Sequence, residues 1–147
     1  MARKPSKPGR PVASHFPTDA KERKGIPMAR GLLDYFPGAL ADVAWLSRIG
    51  NDQHNPGEPI HWAKEKSVDH ADCILRHVTD RGLLDNDNVP HSVKLCWRAL
   101  ALRQIEIDAA NGDAEAVKQI RELGTPAQNV ALDAALEKTR KRRKRKK

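Results

Sequence analysis

The sequence predicts an all-α protein, and three observations carry that prediction. Apolar and polar residues never alternate over more than a few positions, so no strand is expected. Apolar residues instead recur at spacings of three and four, in stretches bounded by Pro, Gly, Asn or an N-capping side chain. Aromatic residues make up 4% and charged residues 31% of the 147 positions, against a usual charged share of about 25%, which suits a small helical body with charged extensions. The expected architecture is a compact helical bundle of about three core helices plus two C-terminal helices, with disordered basic ends.

Residues 1–25 carry Pro5, Pro8, Pro11 and Pro17 among Lys, Arg and Ser. Too little apolar surface is present to offset the entropy of ordering, so the segment reads as a disordered basic arm. A first helix opens at Pro37, a residue tolerated in a first turn, and runs through Leu40, Val43, Ala44 and Ile49 to Gly50. Residues 51–66 contain turn formers and no period, and a loop of that length is commonly functional. Ser67 is the expected N-cap of a second helix carrying Val68, Ala71, Leu75 and Val78 up to Gly82. After the acidic link LLDNDN, the longest periodic stretch spans Val89 to Ala110, with Pro90 in its first turn and Val93, Cys96, Trp97, Leu100 and Ile107 on one stripe. Trp45 and Trp97 both fall on apolar stripes and are assigned to the core. Asn111 and Gly112 stop the third helix; Asp113 and Thr125 then cap two further helices, Asp113 to Leu123 and Pro126 to about Thr139, separated by Gly124. The expected organisation is an arm over 1–25, a helical domain over 26–111, an accessory helical segment over 112–139 and a polybasic tail over 140–147.

The net charge of +8 invites a nucleic-acid-binding reading, but its distribution argues otherwise. Residues 140–147 are all basic, and residues 1–30 hold eight basic and two acidic residues. The remaining 31–139 hold 11 basic and 17 acidic residues, a net of −6. No apolar run approaches the roughly 18 to 20 residues of a membrane helix, and the N-terminus lacks the apolar stretch of a signal peptide. The expectation is a soluble cytoplasmic protein without membrane contact. Cys73 and Cys96 have no CxxC spacing and are read as buried thiols. No GxxxxGK[ST], HExxH, GxSxG or GxGxxG motif is present, and His is never followed directly by Asp.

Five of the six histidines fall between His54 and His91, among Asp52, Glu58, Glu65, Asp69, Asp72, Asp80, Asp85 and Asp87. Carboxylates with imidazoles form the ligand set of a divalent cation, magnesium or manganese where oxygen dominates, with histidine admitting manganese, cobalt or zinc. The same enrichment also fits a solvated acidic face. Asp85, Asp87 and His91 cluster where the third helix begins, an end whose free N–H groups favour anions such as phosphate; equally, the two aspartates could solvate a turn while Asn88 caps the helix. His70 and His77 share a helical face. Arg76 stands one turn from both Asp72 and Asp80, as in a salt-bridge ladder. Asp42, amid the stripe of the first helix, is either a ligand or that helix's polar edge. In the loop, Asn51, Gln53, His54, His61 and Trp62 suit a base or ribose, since amides read hydrogen-bonding edges and an indole offers a stacking face; Trp62 could instead anchor the loop. Lys64, Lys66, Arg76, Lys94 and Arg98 are the cations available to phosphates.

The loop GNDQHNPG-x-P-x-HW from Gly50 to Trp62, the Lys66-Ser67 and Arg76-His77 pairs, the acidic turn before Pro90-His91 and the run WRALAL from Trp97 to Leu102 together resemble the domain named for dATP/dGTP diphosphohydrolases. That phage and bacterial family includes MazZ-type enzymes and is related to the all-α MazG-like pyrophosphohydrolases; the resemblance covers about residues 24–110. It implies cation-dependent hydrolysis of a purine deoxynucleoside triphosphate to the monophosphate and pyrophosphate, in the cytoplasm of a bacterium or of a phage's host. By position it implies Asp42, His77, Asp85, Asp87 and His91 at a divalent cation, Mg2+, Mn2+ or Co2+, with Asp85 and Asp87 taken as catalytic; the chemistry of the loop and the cations adds Asn51, His54, Trp62, Lys66, Arg76 and Arg98 at the substrate. Relatives associate as dimers or tetramers, so a homo-oligomer is expected. The EExxE helix of MazG proper is absent, because the first helix offers only Asp42. Either the ligands lie on the second and third helices or catalysis is lost. Two other readings stand beside the enzyme. In one, a nucleic-acid-associated protein grips phosphates non-specifically through Arg140, Lys141, Arg142, Arg143, Lys144 and Arg145; in the other, a nucleotide is bound without turnover.

Overall fold

The structure is a computed structural model describing residues 15–145; most of the basic arm, residues 1–14, and Lys146 and Lys147 lie outside the described residues. The described chain is all-α. Its elements are α1 (Ala20–Lys24), a π-turn (Ala29–Leu33), α2 (Pro37–His54), a 3-10 turn (Lys64–Lys66), α3 (His70–Thr79), α4 (His91–Ala110), α5 (Ala114–Leu123) and α6 (Pro126–Lys144). Among the described residues there is no strand, only an isolated bridge between Leu84 and Pro90. No described helix is long and apolar enough to cross a membrane.

The chain divides into two compact units, Met1–Pro37 and Gly38–Lys147. In the first, the end of the basic arm is helical where disorder was expected. Asp19 accepts hydrogen bonds from the backbone N–H groups of Lys21 and Glu22, both at 2.9 Å, which satisfies donors that a helix start otherwise leaves free and holds the single turn of α1.

In the second unit, α3 packs on α4, α4 on α5 and α6, and α5 on α6. The buried hydrophobic cluster consists of Ile105 and Ala109 from α4, Ala116 and Ile120 from α5, and Leu132 from α6, with Trp62, Val117 and Leu136 packed against it. The two C-terminal helices, read from sequence as an accessory segment, therefore supply three of the five residues of this cluster. Their caps are those the sequence predicts. Asp113 accepts from the Ala116 N–H at 2.9 Å, and Thr125 and Gln128 form a reciprocal capping box. A Cβ on Gly124 would lie 2.3 Å from the Ile120 carbonyl oxygen, so only glycine fits the link between α5 and α6.

Several boundaries differ from the sequence reading. α2 continues past Gly50 to His54. The Arg48–Asp52 ion pair at 2.8 Å spans the added turn, and the buried Asn51 side chain ties the helix end to the loop. Its Nδ2 donates to the carbonyls of Glu58 at 3.0 Å and Asn55 at 3.5 Å, while its Oδ1 accepts from the His61 N–H at 3.2 Å. Ser67 does not cap α3, because its hydroxyl is taken by Arg98; the helix starts later, after Asp69. α4 starts at His91 with Pro90 as N-cap. Asn88 does not cap it and instead turns the chain with φ 59°. Trp45 is not a core residue: it is 65% exposed. Trp97 is half-buried and donates its indole N–H to Ser47 Oγ at 2.9 Å, joining α4 to α2. Cys73 is buried, but Cys96 only partly so.

α6 runs through the basic run to Lys144, where a disordered end was expected. Its basic turns rest on the C-terminal end of α4. Thr139 Oγ1 donates to the Ala110 carbonyl at 2.9 Å, and Arg143 donates to the Asn111 carbonyl at 3.1 Å. Both fill acceptors that a helix C-terminus leaves open, and the Arg143 charge complements the dipole there.

Candidate functional site

α3 presents His70, Cys73 and His77 at spacings of seven or less along one face, buried or half-buried beside α4. The link from Asp80 to Pro90 then folds back tightly. Asp85 and Asn88 form a turn, with the Asp85 carbonyl accepting from the Asn88 N–H at 2.8 Å and the Asp85 N–H donating to the Val89 carbonyl at 3.0 Å. The Asp87 carboxylate accepts from the Val89 N–H at 3.2 Å, and the His91 N–H donates to the Leu83 carbonyl at 3.2 Å. This bonding aims both aspartates back at the first turn of α4.

The result brings His77, Asp85 and His91 together. One possible ligand atom from each lies within 4.8 Å of the others, and all three residues are half-buried. The Nδ1 atoms of His77 and His91 are 2.9 Å apart. Metal–imidazole bonds of about 2.0–2.1 Å would place two neighbouring ligands roughly 3 Å apart, so this spacing fits a shared ion as well as an N–H···N hydrogen bond. Two imidazoles and one carboxylate suit manganese, cobalt or zinc better than magnesium, which prefers an all-oxygen shell.

Lys94 lies one turn along α4 from His91. Its ammonium pairs with Asp85 Oδ2 at 2.7 Å and Asp87 Oδ2 at 2.8 Å, with all three side chains largely shielded from solvent. The Lys94 hydrogen bond, helped by the Asn86 N–H, holds the Asp85 carboxyl down at about 2. The same ammonium lowers the Asp87 pKa. Burial opposes the Lys94 charge, but the two carboxylates outweigh it and raise its pKa. The His77 pKa is lowered, first by burial and then by the neighbouring His91 and Lys94, so His77 favours the neutral form that a ligand needs.

The other residues singled out from sequence are placed differently. Asp42 is exposed on α2 and is not brought into the His77–Asp85–His91 group. Asp87 faces Lys94. Both ends of the Asn51 amide are used inside the loop. Trp62 packs against the core cluster with its indole edge-on to Trp97, ring centroids 5.6 Å apart, so it anchors the loop. His54 and Lys66 are exposed. Arg76 pairs with Asp69 at 2.9 Å, not with Asp72 or Asp80, and also reaches Cys73 Sγ at 2.9 Å. Arg98 binds Ser67, contacts His70 Nδ1 at 3.3 Å and lies against the Trp97 ring. His70 is almost fully buried and its Nε2 has no partner; burial, then the Arg98 charge, lowers its pKa. Lys94 is the residue whose place sequence reasoning missed. Its charge alone groups it with the phosphate-binding cations, although its position one turn after His91 puts it on the side of the acidic turn.

Comparison of the chain with protein-family models, curated proteins and solved structures gives no match.

Proposed function

We propose that this protein hydrolyses purine deoxynucleoside triphosphates, dATP or dGTP, to the monophosphate and pyrophosphate with a divalent cation. The observation supporting the reading is the convergence of His77, Asp85 and His91, which belong to two helices and the turn between them. They would hold the cation, which when bound neutralises phosphate charge and lowers the pKa of a water. In the overall reaction, water adds to the α-phosphorus and the bond to the bridging oxygen breaks, releasing pyrophosphate. Lys66, exposed on the 3-10 turn, and Arg98, beside His70, are the cations proposed for phosphates. Exposed Trp45, Leu75 and Leu100 support a homo-oligomer, dimer or tetramer, as part of the proposal.

The test is a screen of the common NTPs and dNTPs with magnesium, manganese and cobalt, scored by pyrophosphate against orthophosphate. The expected result is pyrophosphate from dATP or dGTP, abolished by combining Asp87→Ala with His91→Ala while the helical circular-dichroism signal persists. Turnover unchanged in that double variant refutes the site assignment.

A second reading is favoured by one observation: Arg140, Lys141, Arg142, Lys144 and Arg145 are all exposed at the end of α6. Here the protein binds nucleic-acid phosphates without catalysis. Eight phosphate contacts by residues 140–147 would give a salt slope of about −7, and deleting those residues would end binding.

A further inference from the structure

We propose that Lys94 is a built-in competitor of the metal cation: its ammonium holds Asp85 and Asp87 until a divalent ion displaces it, and the released ammonium then serves the substrate's phosphates. This rests on the metal-dependent reading above. The geometry carries it. Lys94 Nζ sits between two carboxylates, 2.7 Å from Asp85 Oδ2 and 2.8 Å from Asp87 Oδ2, and the Asp85 carboxylate also belongs to the group with His77 and His91.

Asp85 is therefore claimed twice. Its Oδ1 accepts from the Asn86 N–H at 2.7 Å and its Oδ2 from Lys94, so both oxygens are already engaged. A dication bound to Asp85 beside an ammonium on the same carboxylate would meet like-charge repulsion in a half-buried place, where screening is weak. Lysine can yield where arginine would not, because its charge sits on a flexible four-carbon stem and makes no bidentate fork. A freed Lys94 would stay within one helical turn of His91, close enough to bring positive charge to a phosphate beside the metal.

The test titrates Mn2+ alone into the full-length protein, following free Mn2+ by electron paramagnetic resonance. Wild type is compared with Lys94→Met and Lys94→Gln. The expected result is binding at least tenfold tighter in both variants, with a raised KM for the triphosphate at saturating metal. Metal bound by wild type but no tighter by the variants overturns the role of Lys94 and leaves the metal site standing. No metal bound by any of the three proteins removes the metal-dependent reading and Lys94's role together. Because the variants leave two carboxylates unpaired and could unfold, wild type is also followed by NMR. Saturating Zn2+ should shift the Lys94 ammonium resonance and speed its hydrogen exchange. An unchanged Lys94 resonance with Zn2+ bound overturns the proposal without any variant.

Discussion

The imidazoles of His77 and His91 meet nitrogen to nitrogen, Nδ1 to Nδ1 at 2.9 Å. Two imidazolium ions could not share this contact, since both nitrogens would donate and both rings would be positive. The burial that lowers the His77 pKa keeps at least one of the rings neutral. Metal binding at the pair should therefore be strong at pH 7.5 and weaken as the pH falls below 6.5, the ordinary histidine value from which His77 is lowered. His91→Ala should weaken Mn2+ binding by at least about tenfold, the lower range for disturbing a metal's ligand environment. Calorimetric titration at pH values on either side of 6.5 checks both; an affinity independent of pH and of His91 would exclude the pair as ligands.

Acid sensitivity of the turn follows from Asp85. Its folded pKa lies near 2, below the ordinary 3.8. The unfolded chain thus takes up the proton first as the pH drops, and the stabilisation is full above about 4 and lost on the way to 2. Asp85→Asn should lower stability at pH 7 and make the acid limb of a stability profile shallower. Urea unfolding at pH 7, 4 and 2.5 distinguishes this from a uniform offset.

His70 has the same sign in a higher window. Its pKa is depressed below 6.5 by burial, so the unfolded state binds a proton that the folded state resists. The stabilising difference is complete above pH 6.5 and declines below it. The melting temperature should fall between pH 6.5 and 5, and less so in His70→Phe, which keeps a ring without a titrating group. Equal slopes in both proteins would assign the decline to another residue.

The Asn51 side chain ties together both ends of the loop segment from Asn55 to His61. Asn51→Ala strips a partner from the Glu58 carbonyl and from the His61 N–H, and it should cost about 1–3 kcal/mol, the range for leaving buried polar groups unmet. Asn51→Asp keeps the acceptor and loses the donor, so its cost should be different from that of alanine. Equilibrium urea unfolding measures both.

The helices were legible because their signals are local. Asp113, Thr125 and Gly124 act within a few residues of themselves, and the structure uses each as the sequence implies. What was not legible depends on partners distant in the chain. Ser67 looks like a cap until Arg98, 31 residues on, takes its hydroxyl. Arg76 has three aspartates within reach of a helical period, and only packing selects Asp69. Asn51 has the chemistry of a base-reading amide, yet its hydrogen bonds are spent on its own loop. For the candidate site, spacing joined Asp85, Asp87 and His91 and the resemblance added His77 and Asp42, whereas the structure groups His77, Asp85 and His91. Neither spacing nor resemblance could show that Lys94 would stand between the two aspartates, nor that Asp42 would stay apart.

The docking of α6 on the far end of α4 has a spatial consequence. α4 spans 20 residues, about 30 Å at a rise of roughly 1.5 Å per residue. His91 opens it, and Arg143 closes on the carbonyl just beyond its last turn. The length of α4 thus separates the imidazole pair from the basic turns. A polymer strand held by those turns would sit a full helix length from the histidines, too far for the same phosphate to touch both. The two ends can be altered independently, so removing the tail should leave small-nucleotide chemistry as it was.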